Sequence, residues 1–387
     1  MKSKLVGLEK CAVLYLATLG WLPNYLLPYD VMTAMKRFSL TEDHVGWLAS
    51  AQLLVLSFTA LLMSRWISRL SKRTWSMGAC FLGFGATAAM IFAHDLYIYA
   101  ALKIVFGVAA GVLVACVYGL ASYYEHPEKW FAQAAIVIAV VYGIAMYIAP
   151  LLIGRYGPTG AEIVQLAMMA LGLVLSPKMP VASLSWTTSM SQKPTTRSIG
   201  IVWMLIAVFA LFISQSVTIS FAGPSSHSLM IDDEKLGLTF TIAALVQIPA
   251  ALLTNWMGNR AGAFKPIYWG LAILIGTALG MYEGWSRWGF FVALSLINAG
   301  VVIANPYLLS VLAELDETGE SAALAGSVTN FGLAIGPALA SVVFGFGGVR
   351  PVGWVAAGLL VLAILTVFAA SRSTAQYGRT PPLAKRA

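Results

Sequence analysis

The chain has 387 residues and carries little charge for its length. Apolar residues make up 59% of it and charged residues 10%, and its mean hydropathy is +0.81. A soluble domain averages about 45–50% apolar and about 25% charged residues. A soluble enzyme of this composition would leave aggregation-prone apolar patches in water, and a disordered chain needs low hydrophobicity and high charge. The composition therefore excludes both classes and places the chain in a bilayer.

Long apolar stretches recur along the whole chain. A membrane-crossing helix needs about 20 mostly apolar residues, and the sequence predicts twelve of them, so the expected fold class is an all-α integral membrane protein. Span 1 is too long for the apolar core of a signal peptide and lacks a small-residue cleavage pattern, so we expect it to be retained. Numbered 1 to 12 in chain order, the spans are Leu8–Met32, Val45–Met63, Thr74–Phe92, Leu96–Leu120, Phe131–Ile153, Ala161–Leu175, Ile199–Phe221, Leu236–Trp256, Pro266–Met281, Trp288–Leu312, Ala322–Phe344 and Pro351–Ala370.

The basic residues predict how the chain is oriented. With a cytoplasmic amino terminus, 17 of the 24 Lys and Arg fall in cytoplasmic segments and 6 in outer segments, as the positive-inside rule requires. We therefore expect both termini in the cytoplasm and a plasma membrane of the bacterial inner-membrane type. The basic residues are spread over many short loops, so the net charge of +8 does not indicate binding to nucleic acid.

Sequence motifs of enzymes and metal sites are missing. The chain contains no phosphate-binding loop, no G-x-S-x-G and no H-E-x-x-H. Its three cysteines, Cys11, Cys80 and Cys116, lie within or beside spans, where they are expected as small packing residues. We therefore predict no catalysis, no cofactor and no metal.

Two sets of matching positions show that the chain is built from a repeat. Arg69 and Arg260, in the loops after spans 2 and 8, lie 191 residues apart. Pro150 in span 5 and Pro337 in span 11 lie 187 residues apart, and each follows two small residues spaced by four. Parallel repeats of six spans are a recurring architecture of secondary transporters, so we interpret the chain as two six-helix halves.

The repeat also predicts the domain boundaries. The amino-terminal half covers residues 1–175 and the carboxy-terminal half residues 199–370. Residues 176–198, rich in Ser, Thr, Pro and Lys, are expected to form a cytoplasmic linker. Residues 371–387 are expected to form a basic cytoplasmic tail.

These features together resemble the major facilitator superfamily, and the resemblance covers nearly the whole chain up to Ala370. The family's loop motif after span 2, G-x-x-x-D-R-x-G-R-R, is similar to the segment that contains Arg69, Lys72 and Arg73. Ser68 replaces the acidic residue of the motif, which normally makes a charge contact in the outward-open state. The resemblance implies the major facilitator fold and transport by alternating access.

Five residues are candidates for gating under this resemblance: Arg69, Arg73, Arg260, Pro150 and Pro337. The arginines either gate the cytoplasmic side or only set topology and contact lipid headgroups. The prolines can bend their helices, and the paired small residues before them let helix backbones approach closely. In the superfamily a Gly-Pro motif in span 5 accompanies proton-antiport exporters, and this chain has Ala149-Pro150 there.

Lys103 lies well inside span 4, whereas the other basic residues fall in loops, in the termini or, like Lys10, at the end of a span. Lys103 lies about 10 Å deep at about 1.5 Å per residue, and a cation near the bilayer centre costs at least about 2.5–3.5 kcal/mol, so such residues usually face a cavity or a partner. The stretch Lys103-x3-Gly107 resembles a span-4 motif of the family. Lys103 is expected to bind an anionic group of the substrate or to take part in proton coupling. The alternative is a lysine that reaches the outer interface.

Span 1 is unusually polar and holds three further candidates. Asn24 and Tyr25 are expected near a central cavity, and Tyr25 shares a helix face with Tyr29 four residues later. The same aromatic face also fits helix packing or an interfacial belt. Asp30 is expected to be a solvated outer carboxylate or, if it is buried opposite Lys103, a coupling residue, because each charge would stabilise the other.

Four polar residues in the second half complete the set of candidates: Gln215, Asn298, Asn305 and Tyr307. Asn305-Pro306-Tyr307 suggests a local break in span 10, and broken helices in transporters often border sites. Each residue alone is as well explained by a hydrogen bond between helices.

The sequence as a whole predicts a secondary active transporter that moves a small organic solute with protons. The alternatives are a proton-antiport efflux pump for drugs or metabolites and, from another class, a non-transporting membrane sensor or scaffold. The expected partners are a small-molecule substrate, protons and the lipid bilayer, and the expected state is a monomer.

Overall fold

The computed structural model describes residues 7–66, 71–121, 127–180, 199–257, 262, 264–284, 286–315 and 320–377, and the regular structure in these ranges is helical. Two short 3-10 helices cover Gly157–Thr159 and Ser176–Lys178. The α-helices are α1 Leu8–Gly20, α2 Leu22–Tyr25, α3 Leu27–Phe38, α4 Glu42–Trp66, α5 Lys72–Phe92, α6 Leu96–Ala121, α7 Pro127–Tyr156, α8 Gly160–Leu175, α9 Ile199–Ser220, α10 Ala222–Ser228, α11 Asp233–Met257, α12 Phe264–Tyr282, α13 Arg287–Leu315, α14 Glu320–Gly347 and α15 Val349–Tyr377.

These helices account for the twelve predicted spans. Ten stretches in the described residues are long and apolar enough to cross a membrane, and one of them, Ile136–Lys178, covers most of span 5 and all of span 6. Span 1 is made of α1, α2 and α3, each of which is too short by itself. Span 7 is α9 followed by the short α10, and every other span is a single helix. The twelve-span, all-helical architecture is therefore confirmed.

Prolines divide span 1 into its three helices. Pro23 and Pro28 each lie in the first turn of a helix, α2 and α3, where a missing backbone N–H costs nothing because it would have no partner within the helix. The direction of the helix is kept through the breaks. The backbone N–H of Leu26 donates to the carbonyl of Leu22, and the backbone N–H of Asp30 donates to the carbonyl of Leu26. The breaks position the polar residues of span 1 without ending the span.

The predicted break in span 10 is wrong, because α13 runs without interruption from Arg287 to Leu315. A proline inside a helix leaves the carbonyl four residues earlier without its usual partner. For Pro306 that carbonyl belongs to Val302, and the hydroxyl of Thr254 in span 8 donates to it at 3.3 Å. The same hydroxyl also donates to the carbonyl of Ala250 in its own helix at 2.9 Å, so its proton is shared between the two oxygens, and the helix continues through the proline.

The other two prolines singled out by the sequence are accommodated in the same way. Pro150 frees the carbonyl of Met146, which accepts from the hydroxyl of Tyr29 at 3.3 Å. Pro337 frees the carbonyl of Leu333, which accepts from Ser216 at 2.7 Å. Each hydroxyl comes from another span of the same half, so the prolines are fixed by tertiary contacts.

Small residues bring helix backbones together, as their spacing predicts. A Cβ atom on Gly336 would lie 2.4 Å from the Cβ of Ser216 in span 7. In span 4, a Cβ atom on Gly107 would lie 2.6 Å from the carbonyl oxygen of Gln52 in span 2. These glycines hold their helices at a distance that no larger residue allows.

The two halves meet from the end of the bundle that the predicted orientation puts outside, which we call the outer end, to past the middle of span 2, where Ser57 donates to the carbonyl of Asn330 in span 11 at 3.3 Å. Span 2 contacts span 11, where the backbone N–H of Gly46 donates to Ser341 at 3.0 Å and the backbone N–H of Ala338 donates to Ser50 at 2.7 Å. Span 5 contacts span 8, where Thr241 donates to the carbonyl of Gly143 at 2.9 Å. These contacts hold the outer ends of the halves against each other.

The predicted linker and tail fall only partly within the structure. The 3-10 helix Ser176–Lys178 begins the predicted linker, while residues 181–198 lie outside the described residues. Helix α15 continues to Tyr377, seven residues past the predicted end of span 12, and residues 378–387 lie outside the described residues. The boundaries of the two halves stay a prediction.

Candidate functional site

A buried ion pair joins spans 1 and 4. The ammonium nitrogen of Lys103 lies 2.8 Å from Oδ1 of Asp30, and the two side chains are 2% and 6% exposed. Asp30 lies in the first turn of α3, and Lys103 lies in α6. Of the two alternatives that the sequence leaves open for Asp30, the structure shows the buried carboxylate opposite Lys103.

Gln165 of span 6 completes this level of the cluster. Its side-chain nitrogen donates to Oδ1 of Asp30 at 2.8 Å. The other carboxylate oxygen of Asp30, Oδ2, and the side-chain oxygen of Gln165 are buried without a hydrogen-bond partner among the described residues. Asp30, Lys103 and Gln165 form what we call the inner tier.

A second set of three residues lies one helical turn nearer the outer end, and we call it the outer tier. Glu162 is completely buried, and its Oε1 accepts from the hydroxyl of Tyr99 at 3.0 Å. Nη1 of Arg37 lies 3.8 Å from the same oxygen, an ion pair without a hydrogen bond. Arg37 is also held by the backbone, since it donates to the carbonyls of Ile91, at 2.9 Å, and Ala93.

Helix periodicity explains why the six residues form two tiers. Residues 99 and 103 on span 4, and 162 and 165 on span 6, are spaced by about one turn and therefore share a face. Residues 30 and 37 on span 1 are spaced by about two turns. The ring of Tyr99 links the tiers, because its centroid lies 5.5 Å from the nitrogen of Lys103 and 5.7 Å from the guanidinium carbon of Arg37. Each tier thus holds one acid, one base and one neutral hydrogen-bonding side chain.

Sequence reasoning missed the outer tier. Arg37 lies beyond the predicted end of span 1 at Met32, but in the structure it is in the last turn of α3. Glu162 stands inside the predicted span Ala161–Leu175, and a carboxylate in a span was the available signal, because such residues are rare and usually paired. Among the described residues, no three His, Cys, Asp or Glu side chains gather closely enough to hold a metal ion.

The other polar candidates lie away from this cluster, on partly buried helix faces. Tyr25 stacks on Tyr142 of span 5, with ring centroids 4.6 Å apart, and Asn24 beside it is half-buried. Gln215 in span 7 and Asn305 in span 10 are half-buried, and each has a buried side-chain oxygen without a hydrogen-bond partner among the described residues. These two amides have hydrogen-bonding capacity left over.

Asn298 and Tyr307 of span 10 differ in their surroundings. Asn298 is half-buried, two helical turns before Asn305 and on the same face. Tyr307 is buried, and its hydroxyl donates to the carbonyl of Thr254 at 3.3 Å. Tyr307 therefore takes part in the packing of span 8 on span 10.

The candidate gating residues lie in different parts of the molecule. Arg69 and Arg260 lie outside the described residues. Arg73 donates through Nε to the carbonyl of Met179 at 2.6 Å, a contact between the start of span 3 and the beginning of the predicted linker. Pro150 lies at the contact between the halves, where a Cβ on Gly237 would lie 2.6 Å from its ring. The carbonyl of Pro337 faces Gly46 at the other contact.

A cluster of charges connects the halves at the outer end. Oδ2 of Asp233, in the second half, lies 3.0 Å from the nitrogen of Lys36 in the first half. Oδ1 of Asp233 lies 2.8 Å from Nε2 of His227. The neighbouring Asp232 instead pairs with Lys235 in its own half, and the hydrogen bond from Lys235 lowers the pKa of Asp232.

Asp233→Asn is expected to weaken the closure of the outer end. The pair with Lys36 is partly exposed, and such pairs contribute about 1 kcal/mol or less, so the ratio of closed to open molecules should fall at most about fivefold. Distances between spin labels at positions 97 and 288, whose side chains are exposed on the first and second half, measure the opening. Asp232→Asn is the control, because Asp232 pairs with Lys235 in its own half. If Asp232→Asn opened the outer end as much as Asp233→Asn does, the proposed role of Asp233 would be contradicted.

Comparison with solved structures identifies the same fold in transporters of low sequence identity. A bacterial homolog of the human lysosomal transporter Spinster, inward-facing and unoccupied, aligns over 97% of this chain and 98% of its own with 10% identity and a TM-score of 0.67. A mutant of the nucleoside transporter NupG aligns over 95% and 100%, with 13% identity and a TM-score of 0.72. A POT family transporter bound to a thioalcohol-conjugated peptide aligns over 94% and 96%, with 12% identity and a TM-score of 0.74.

The family follows from the sequence itself. No protein of curated function matches the sequence. A sequence profile of the Major Facilitator Superfamily matches residues 11–197 and 204–386, which together are most of the chain and correspond to its two halves. The chain therefore belongs to the Major Facilitator Superfamily, and it is a multi-pass membrane transporter and not an enzyme.

Proposed function

We propose that this transporter moves a small organic solute by alternating access and is driven by protons, with the Asp30–Lys103 pair as the proton-binding site. The observation that carries the proposal is the 2.8 Å distance between these two side chains, both nearly inaccessible to solvent. A proton that binds Asp30 removes the anion that Lys103 faces. Because an unpaired buried charge is costly, this change can favour a different arrangement of the helices.

Lys103 is better suited to a proton than to a charged solute. Its ammonium already has an anionic partner, and its side chain is 2% exposed. An anionic solute would have to displace Asp30 and leave that carboxylate buried and unpaired. A proton needs neither space nor displacement, so proton coupling is the simpler of the two roles that the sequence leaves open for Lys103.

The solute is recognised mainly by uncharged groups in this proposal. The six predicted spans of the second half contain no Asp, Glu, Lys, Arg or His. Their unsatisfied amide oxygens, on Gln215 and Asn305, accept hydrogen bonds from donors on a solute. The pair of Tyr25 and Tyr142 offers aromatic surface from the first half. We further propose that the protein acts as a monomer in the plasma membrane with both termini in the cytoplasm.

Export by proton antiport is the second candidate function. It is favoured by Pro150, which matches the position of a motif that accompanies exporters in the superfamily and packs against Gly237 where the halves meet. Symport and antiport differ only in the direction of solute movement relative to the proton gradient, so one experiment separates them.

The test is solute transport in proteoliposomes under an imposed pH gradient. Radiolabelled neutral solutes, organic acids and cationic dyes are screened first by counterflow, which needs no gradient. For the wild type, a solute that exchanges in counterflow should then accumulate on one side when the gradient is applied. Asp30→Asn should still exchange that solute but lose gradient-driven accumulation, because the amide does not bind a proton.

Glu234→Gln is the matched control, since Glu234 is exposed and its change should leave both measurements as in the wild type. Accumulation against the gradient by Asp30→Asn at the wild-type level would refute the assigned proton site. A wild-type protein that exchanges no solute of any charge class would refute transport of this kind and favour the sensor alternative.

A further inference from the structure

The outer tier is not used by the mechanism proposed above, although it contains a second buried acid. Glu162 is completely buried and shares one oxygen, Oε1, between the hydroxyl of Tyr99 at 3.0 Å and the guanidinium of Arg37 at 3.8 Å. Its other oxygen, Oε2, is buried without a hydrogen-bond partner among the described residues. A carboxylate needs several donors to remain ionised in such surroundings, and Glu162 has fewer than it could accept.

The partners of Glu162 make its charge dispensable. The pair with Arg37 is longer than a hydrogen bond, and Arg37 keeps the carbonyls of Ile91 and Ala93 as acceptors when Glu162 is neutral. Tyr99 can go on donating to the carbonyl oxygen of a protonated acid. Protonation of Glu162 therefore removes a buried charge, while Tyr99 keeps its acceptor and Arg37 keeps its two carbonyls but loses the anion that it faces.

The position of the outer tier relates it to the proton that the inner tier binds. Glu162 precedes Gln165 by about one turn in span 6, and Tyr99 precedes Lys103 by one turn in span 4. Arg37 is 11% exposed, whereas Lys103 is 2% exposed. Arg37 is the most exposed of the six side chains, whereas Glu162 is completely buried and Asp30 is 6% exposed. The outer tier lies between the outer end and Asp30, so a proton that comes from the outer end meets Arg37 and Glu162 first.

We propose that Glu162 is a second proton-binding carboxyl, which takes up a proton from the outer end and passes it to Asp30. This inference rests on the proposed function for its second step only. In the first step a hydronium ion gives its proton to the Glu162 carboxylate and becomes water. In the second step the proton leaves Glu162 and binds the carboxylate of Asp30, so that Glu162 is again an anion. Lys103, which then faces a neutral Asp30, has the regenerated Glu162 as the nearby anion of the outer tier.

The charged and titratable groups that face Glu162 are all part of this scheme. Span 4 contributes Tyr99 and Lys103, and span 1 contributes Arg37 and Asp30. Span 6 itself contributes the neutral Gln165. With two acids and two bases in the cluster, uptake of one proton leaves a net charge of one positive unit. A buried excess charge is costly, so it favours a change in helix arrangement in which the proton leaves the cluster.

Infrared difference spectroscopy of the full-length protein in lipid tests the inference without a known solute. The carbonyl stretch of a protonated carboxylic acid is resolved from the carboxylate bands, and its frequency depends on the hydrogen bonds of the group. On titration from alkaline to acidic pH, the wild type should gain two such bands from buried acids. Glu162→Gln should lose one of them and Asp30→Asn the other, while Glu234→Gln, the exposed control, should keep both.

Tyr99→Phe provides a second measurement that does not depend on removing the acid. The loss of the hydroxyl donor should shift the frequency of the Glu162 band and leave the Asp30 band in place. A wild-type spectrum with no band that is sensitive to Glu162→Gln and Tyr99→Phe would overturn the inference while leaving the role of Asp30 intact. Gradient-driven transport that survives Asp30→Asn, with the Glu162 band present, would refute the proposed function and the transfer step but not proton binding by Glu162.

Discussion

Lys103→Met is expected to destabilise the protein by about 3–5 kcal/mol, because it leaves the carboxylate of Asp30 buried without its counter-ion. The two atoms of the pair lie 2.8 Å apart, and Asp30 is 6% exposed, so water cannot replace the lost ammonium without rearrangement. The remaining donor to Asp30, the amide of Gln165, is neutral and compensates only part of the charge. Thermal or denaturant unfolding of the purified protein in detergent measures the loss.

A double variant separates the charge from the packing. Asp30→Asn combined with Lys103→Met removes both charges and keeps an oxygen that can accept from Gln165. Replacing a buried ion pair by neutral groups of similar volume is often neutral or stabilising, so the double variant should regain most of the stability and still lack gradient-driven transport. Lys36→Met is the control, because the cation of Lys36 is 45% exposed and its removal should cost about 1 kcal/mol or less. A Lys103→Met protein as stable as the wild type would show that the pair is not ionised.

Gly46→Ala is expected to force the outer ends of the halves apart. A Cβ atom at this position would lie 2.1 Å from the carbonyl oxygen of Pro337 and 2.7 Å from the side chain of Ser341, and both belong to the other half. The obstructing atoms include backbone, so a rotamer change cannot relieve the clash. Overpacking of this kind costs about 1–3 kcal/mol, which corresponds to a shift of about 5- to 150-fold in the ratio of closed to open molecules.

The shift can be measured with the same pair of spin labels at positions 97 and 288, in a background from which Cys11, Cys80 and Cys116 have been removed. Gly46→Ala should lengthen the distance between the labels and increase labelling of residues at the contact from the outer side. Gly78→Ala and Gly85→Ala are matched controls, since a Cβ at either glycine meets no atom within 4 Å. If Gly46→Ala gives the distance distribution of the wild type, the close contact of spans 2 and 11 does not hold the outer end closed.

The sequence leads to Lys103 because a single cation inside a span is conspicuous in a chain with so few charges. It leads to Asp30 only as one of two alternatives, since a carboxylate near a predicted boundary can lie on either side of it. Arg37 falls outside the predicted span 1, which ends at Met32, whereas the helix continues as α3 to Phe38. The boundary error moved Arg37 out of the span, and the outer tier was missed with it.

The prolines illustrate a different limit. Pro306 suggests a break in span 10 when only its own helix is considered, because a proline removes a backbone hydrogen bond. The helix nevertheless continues, and Thr254, 48 positions from Val302 in the chain, shares its hydroxyl proton with the freed carbonyl of Val302. A local sequence pattern does not contain that contact, so a proline alone does not predict whether a span is broken.

The amino-acid sequence by itself determines the membrane class, the number of spans and the repeat of two halves, since hydropathy and repetition are properties of the chain that do not depend on its neighbours. It also singles out Lys103, because a cation in a span is costly and usually faces a cavity or a partner. Only the tertiary structure decides which residues meet it, and it brings Asp30, Lys103 and Gln165 together from three spans far apart in the chain. The reason is that these helices are apolar on most sides, so their sequence pattern gives little indication of which face turns inward, and the packing of whole helices determines that rotation.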